Sequence, residues 1–103
     1  MRLEHQQLFS GLIRLHILHH AEEEPLYGNW MIEELRRHGY HISAGTLYPM
    51  LHRMERQGYL SVKTARADGR IRRVYRVTAK GRRALQDSKT KIRELFREIV
   101  GNN

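Results

Sequence analysis

Nine of the chain's 19 basic residues lie between residues 61 and 83 with a single acid, Asp68, so this stretch carries +8 while the rest of the chain is neutral. A segment so charged cannot bury itself, yet it is patterned. β-Branched and aromatic residues fall on both sides of Asp68-Gly69, a strong two-residue turn signal, which predicts a β-hairpin with arms from Leu60 to Arg66 and from Ile71 to Thr78. Such a ribbon offers a cationic edge suited to a polyphosphate.

Directly before it, Ser43 to Gly58 reads as a helix with a clear start and stop. Ser43 can cap the free N–H groups, Ile42 and Leu47 occupy the two positions of a hydrophobic staple, and Gly58 ends the run. The buried face is Leu47, Met50, Leu51 and Met54, spaced three and four apart. Pro49 falls inside the helix, where it lacks the N–H for the Gly45 carbonyl and is expected to tighten or bend the first turn. A preceding helix, about Asn29 to His38, buries Met31, Ile32 and Leu35 and closes at Gly39. Only Gly39 to Ile42 separates the two, which gives a helix-turn-helix, and the hairpin behind it makes a wing.

The outer helices complete the pattern. Residues Leu8 to His20 carry apolar side chains too widely spread for one narrow stripe, so this helix is expected to contact two surfaces before Glu22-Glu23-Glu24-Pro25 breaks it. Thr78 caps a last helix from Ala79 to Val100, roughly 33 Å long. Along it Leu85, Ser88, Ile92, Leu95 and Ile99 alternate at spacings of three and four, and Phe96 and Val100 widen the far end. A chain of 103 residues has little core left to cover such a stripe, so a second copy is the expected partner. Leu85, Ile92, Leu95, Phe96 and Ile99 are the candidate dimer residues.

The reading is therefore one domain over 1–103, mainly α with a small β-hairpin: a winged helix-turn-helix core over 20–78, a C-terminal dimerisation helix over 79–100, and 5–20 also contributing to the dimer. Hydrophobic residues at 40% and charged residues at 29% fit a folded domain, and no apolar run reaches the roughly 18 residues of a spanning helix. Met1 to Gln7 lacks the apolar region of a signal peptide, so a cytoplasmic location without membrane contact is expected. The absence of cysteine excludes disulfides and thiolate metal sites.

Opposite the buried face of the third helix lie Gly45, Pro49, His52, Arg53 and Arg56, flanked by Thr46 and Tyr48. Gly45 and Pro49 give a base edge no side-chain hydrogen bond. Direct readout then rests on His52, Arg53 or Tyr48, with Ser43, Thr46 and Tyr48 chiefly holding phosphates and apolar contacts reaching thymine methyl groups. In the hairpin Lys63, Arg70, Arg72 and Arg73, with Arg66 and Arg76, fit phosphate or minor-groove contact.

The runs Ser43-Ala44-Gly45-Thr46-Leu47-Tyr48-Pro49 and Tyr75-Arg76-Val77-Thr78-Ala79-Lys80-Gly81, with Tyr27-Gly28 and Glu34-Leu35 upstream, closely resemble the PadR family of transcriptional regulators. The likeness spans about Leu12 to Leu85. It implies a winged helix-turn-helix homodimer of the short subfamily, usually a repressor at palindromic promoter sites and often released by a small ligand. Two departures stand out. Asn29-Trp30 replaces the family's aromatic and acid after the glycine, and no motif here names an effector.

Three features stay open on sequence alone. Trp30, the sole tryptophan, is a packing residue by ordinary preference and an aromatic ligand wall by function. His16, His19 and His20 share a helical face, but the H-E-x-x-H glutamate is missing, so no metal and no cofactor is expected. An RNA-binding or ribosome-associated basic module is the alternative function, set apart by whether aromatics stand exposed for base stacking. Catalysis finds no support in paired carboxylates, a nucleophile with its base, or a phosphate loop, so the chain is not read as an enzyme.

Overall fold

The computed structural model describes residues 5–101, all but the Ala67 side chain. Its elements run α1 (Gln6–Glu23), β1 (Leu26–Tyr27), α2 (Gly28–Arg37), α3 (Ala44–Arg56), β2 (Leu60–Ala67), β3 (Arg70–Val77) and α4 (Ala79–Ile99). The hairpin is as expected: β2 and β3 pair antiparallel from Leu60↔Val77 to Ala67↔Arg70, leaving Asp68 and Gly69 as a two-residue turn with φ of 51° and 73°. Positive φ at both positions is the type I′ geometry that matches strand twist. A third strand was not foreseen, because β1 adds only Leu26↔Tyr75 and Tyr27↔Val74 to the other edge of β3.

α2 and α3 end the same way. Tyr40 N–H donates to the Leu35 carbonyl and Gly39 N–H to that of Arg36, while Tyr59 N–H donates to Met54 and Gly58 N–H to Glu55, all at 2.9 Å. These are Schellman closures, which stop each helix sharply enough to turn the chain within a few residues. At the start of α3 the capping expectation needs correction. Ser43 holds the N-cap position with extended backbone, but its side chain makes no cap bond; its Oγ lies 3.5 Å from Thr46 Oγ1 instead. The first turn is closed by the backbone, Thr46 and Leu47 N–H both donating to the Ser43 carbonyl. The staple does form, since Ile42 and Leu47 are both buried.

The core draws on every helix and all three strands. Ile13, Ile17, Met31, Leu35, Leu47 and Leu51 are fully buried, with Leu60, Tyr75 and Val77 supplying the sheet face beneath them. This core is wider than the span 20–78. α1 belongs to it through Ile13 and Ile17, and Leu85 of α4, expected at a dimer seam, is closed into the protomer at 4% exposure. Beyond Leu85 the helix leaves the domain: every residue from Lys89 to Val100 is exposed. The 54 × 32 × 21 Å extents and 14.6 Å radius of gyration, against about 13 Å for a compact chain of this length, match a projecting arm.

α4 departs from the sheet at a joint built by the Tyr75, Thr78 and Gly81 motif. Tyr75 is 1% exposed beneath it. The Thr78 hydroxyl oxygen accepts from Gly81 N–H at 3.0 Å, and its O–H donates to the Gly58 carbonyl at 2.6 Å, joining the α4 cap to the end of α3. A Cβ on Gly81 would overlap the Tyr59 carbonyl oxygen and stand 2.7 Å from Val77 Cγ2. Because the first obstacle is backbone, it cannot swing aside. Gly81→Ala should therefore destabilise the protein by about 1–3 kcal/mol from overpacking, despite the better helix propensity of alanine. Gly11→Ala is the matched control, since no atom lies within 4 Å of that Cβ, and should stabilise α1 slightly. Urea denaturation of both variants checks the pair; a neutral Gly81→Ala would refute the joint.

Candidate nucleic-acid interface

With Leu47, Met50, Leu51 and Met54 turned into the core, α3 presents Gly45, Pro49, His52, Arg53 and Arg56 on its open side, all exposed. Ser43 is exposed at its start. Thr46 and Tyr48 are half-buried at the margin of the face. His52 Nδ1 lies 3.7 Å from Glu55 Oε1, whereas Arg53 makes no ion pair among the described residues. A guanidinium left without a carboxylate keeps all five donors for an incoming acceptor.

Strand register sorts the wing's cations onto two faces. Residues directly opposed across a ladder share a face. Ser61↔Arg76, Lys63↔Val74, Ala65↔Arg72 and Ala67↔Arg70 therefore put Lys63, Arg70, Arg72 and Arg76 on one side. Thr64↔Arg73 and Arg66↔Ile71 continue the core face of Leu60, Val62, Tyr75 and Val77 out beyond the domain, carrying Arg66 and Arg73. Sequence alone grouped Arg73 with Arg70 and Arg72; the pleat separates them. Among the described residues no wing arginine is paired with a carboxylate.

The wing and α3 meet at the beginning of α2. Tyr27, Gly28, Asn29, Tyr48 and Arg70 to Arg73 line one cleft of about 330 Å³. The Tyr48 ring is seated on Gly28, where a Cβ would stand 2.7 Å from Cε1, so this glycine lets the phenol approach the α2 backbone. Arg72 sits 5.6 Å over the Tyr27 ring, a cation–π contact that orients its guanidinium. The first turn of α2 has neither a side-chain cap nor an acid. Its free N–H groups add a positive end to the arginines around it, an arrangement suited to a phosphate. Tyr27, Gly28 and Asn29 were missed as site residues in the sequence because they reach the wing only through the pairing of β1.

The remaining candidates fall elsewhere. Trp30 is 45% exposed, and its ring stands roughly perpendicular to that of His20, centroids 5.3 Å apart. On α4, Ile92, Leu95, Phe96 and Ile99 are 44–71% exposed and form the open stripe that Leu85 does not join. His16 and His20 are half-buried on α1 and His19 is exposed; the structure adds His38 from the end of α2 to the first two. Burial, and then the charges of His38, His20 and His19, hold the His16 imidazole below its ordinary pKa.

Residues 17–87 match the family described as the transcriptional regulator PadR-like family. The chain belongs to that family. A transcriptional regulator of Mycobacterium tuberculosis is 52% identical over 89 residues, 86% of this chain and 83% of its own. Among solved structures, a PadR family transcriptional regulator from Eggerthella lenta superposes with a TM-score of 0.77 at 32% identity, covering 86% of this chain and 79% of its own. A PadR-like transcription factor from Bacteroides fragilis gives 0.79 at 27% identity over 91% and 92%. The PadR match ends at residue 87, so it takes in the helix-turn-helix, the wing and the Thr78-Gly81 joint and leaves the projecting half of α4 outside. This chain is accordingly a PadR-like transcriptional regulator, and among its described residues no helix is long and apolar enough to cross a membrane.

Proposed function

We propose that the chain acts as a homodimeric repressor that binds a palindromic double-stranded operator and is released by a small-molecule effector. The observation that carries DNA binding is the shared cleft: Tyr48 of α3, the start of α2 and the wing from Arg70 to Arg73 border it, Arg70 and Arg72 from one strand face and Arg73 from the other. α3 supplies base-edge contacts through Arg53, His52 and Tyr48, with Pro49 against apolar groups. Ser43, Thr46, Lys63 and the wing arginines hold phosphates. Dimerisation uses Ile92, Leu95, Phe96 and Ile99 of α4, together with Leu8 and Leu12, which α1 leaves 75% and 43% exposed. The effector site is the apolar groove of about 330 Å³ between α1 and α4, lined by Leu12, Leu15, Tyr40 and Ile92 among others. Trp30 is not part of it.

The five tyrosines speak against the RNA alternative, and the exposed aromatics Trp30 and Phe96 lie beside His20 and on the α4 stripe. Tyr75 is buried, Tyr40, Tyr48 and Tyr59 pack on the core, and Tyr27 lies under Arg72, which leaves these rings engaged by the protein rather than open to splayed bases. Genomic duplexes recovered from cells should share an inverted repeat whose half-sites lie about one helical turn, roughly 34 Å, apart. Titrated in one buffer, such a duplex should bind at least about a thousandfold tighter than random duplex, with single-stranded RNA no better than the latter. Tighter binding to RNA would overturn the reading.

A further inference from the structure

Three of the chain's seven histidines meet where α1 packs beside the end of α2. His16 and His20 stand one turn apart on α1, their rings parallel to within 11° at 6.4 Å, and His38 at the α2 C-cap brings its ring 4.7 Å from His16 and 6.5 Å from His20. Each offers a ring nitrogen, and the three nitrogens lie within 4.8 Å of one another. We propose that His16, His20 and His38 bind one divalent first-row transition ion, for which zinc is the reference.

The donor set selects the metal class. Three imidazoles suit zinc, nickel or copper, whereas calcium and magnesium require oxygen ligands. Zinc–nitrogen bonds of about 2.0–2.1 Å place tetrahedral ligand atoms roughly 3.3 Å apart. The observed spread needs a closing movement of only about 1.5 Å, within the soft range of the imidazole χ2 torsion. Three protein ligands leave the fourth position to water or to an incoming group. Access exists as well, since the His38 side chain is 45% exposed while that of His20 is 13% exposed.

Carboxylates stand behind the imidazoles. Glu34 Oε2 lies 3.0 Å from His38 Nε2 and 3.4 Å from His20 Nε2, and Glu23 Oε1 lies 3.4 Å from His20 Nδ1. On His38 the Glu34 carboxylate at Nε2 fixes the tautomer and makes Nδ1 the better ligand, whereas His20 faces a carboxylate at each nitrogen and must release one of them to take an ion. Glu34 is suited to that role. Its Oε2 reaches a ring nitrogen on α1, in His20, and one at the α2 C-cap, in His38. A competing set, His19, His20 and Glu23, sits on one helix with His19 and Glu23 more than half exposed. The interhelical set is favoured because two packed helices hold it. An ion there would tie α1 to the residue just ahead of the helix-turn-helix turn.

The test is a zinc titration of tag-free, chelator-treated full-length protein against a chromophoric chelator at neutral pH, with no DNA present, so its outcome is separate from the regulatory reading. One ion per chain is expected. His16→Ala and His38→Ala should each weaken binding at least about tenfold, Glu34→Gln by about 10–100-fold, and His19→Ala should leave it unchanged. His38 is an exposed cap residue, and matching metal-free circular dichroism and thermal unfolding would establish that its variant folds. Failure of the folded wild type to compete for zinc would overturn the proposal. So would affinity that survives His38→Ala or is abolished by His19→Ala.

Discussion

Replacing both Ile92 and Leu95 with glutamate is expected to turn a dimer into folded monomers and to abolish operator binding. The two residues are 44% and 51% exposed in a single chain, so the protomer loses little by the exchange. In a dimer they would face the same stripe of the partner, four added carboxylates would crowd one apolar seam, and Lys89 and Lys91 at its border would offset only part of the cost of stripping them of water. A buried charge so incompletely compensated costs several kcal/mol, and the symmetry of the assembly doubles the number. A loss of about 4 kcal/mol already shifts a dissociation constant a thousandfold. Light scattering at micromolar concentration should report the monomer mass, and circular dichroism should report an intact fold. Leu85→Glu provides the contrast. At 4% exposure inside the protomer it should unfold the chain rather than split the dimer. A double variant that remains dimeric would refute this assignment of α4.

Much of this architecture could be read in the chain because its signals are local. The turn at Asp68-Gly69, the staple of Ile42 with Leu47, the stops at Gly39 and Gly58 and the Thr78 cap each depend on residues a few positions apart, and each is present. What escaped depends on distant pairing. β1 is two residues long and exists only because Leu26 and Tyr27 meet Tyr75 and Val74, so no periodicity could announce it. His38 joins His16 and His20 from a separate helix for the same reason. Leu85 shows the converse failure. Its spacing continues the α4 stripe, but spacing identifies a helical face and not what covers it, and the first turns of α4 lie on the protomer's own core. The wing cations were legible as a group, while their division into two faces required the register.

That division matters for the largest effect expected at the DNA. Arg70 and Arg72 share one face of the wing and Arg73 the other, and none is paired with a carboxylate among the described residues. If all three hold phosphates, their attraction is indifferent to base sequence and arises from release of counterions condensed on the duplex. The slope of log K against log salt then falls by about 0.9 per contact, so Arg70→Ala, Arg72→Ala and Arg73→Ala combined in a dimer should flatten it by up to about five. Operator and random duplex should weaken together. Arg53 lies on the open side of α3 and should behave differently. Arg53→Ala should cost about 1–3 kcal/mol on the operator and little on random DNA, because a bidentate contact to a guanine edge exists only at the correct site. Binding isotherms at several salt concentrations on both duplexes separate the two kinds of contact. Should the triple variant keep the wild-type slope, the basic ribbon is not a phosphate grip; should Arg53→Ala weaken both duplexes equally, this arginine belongs with the wing and base readout falls to His52 and Tyr48.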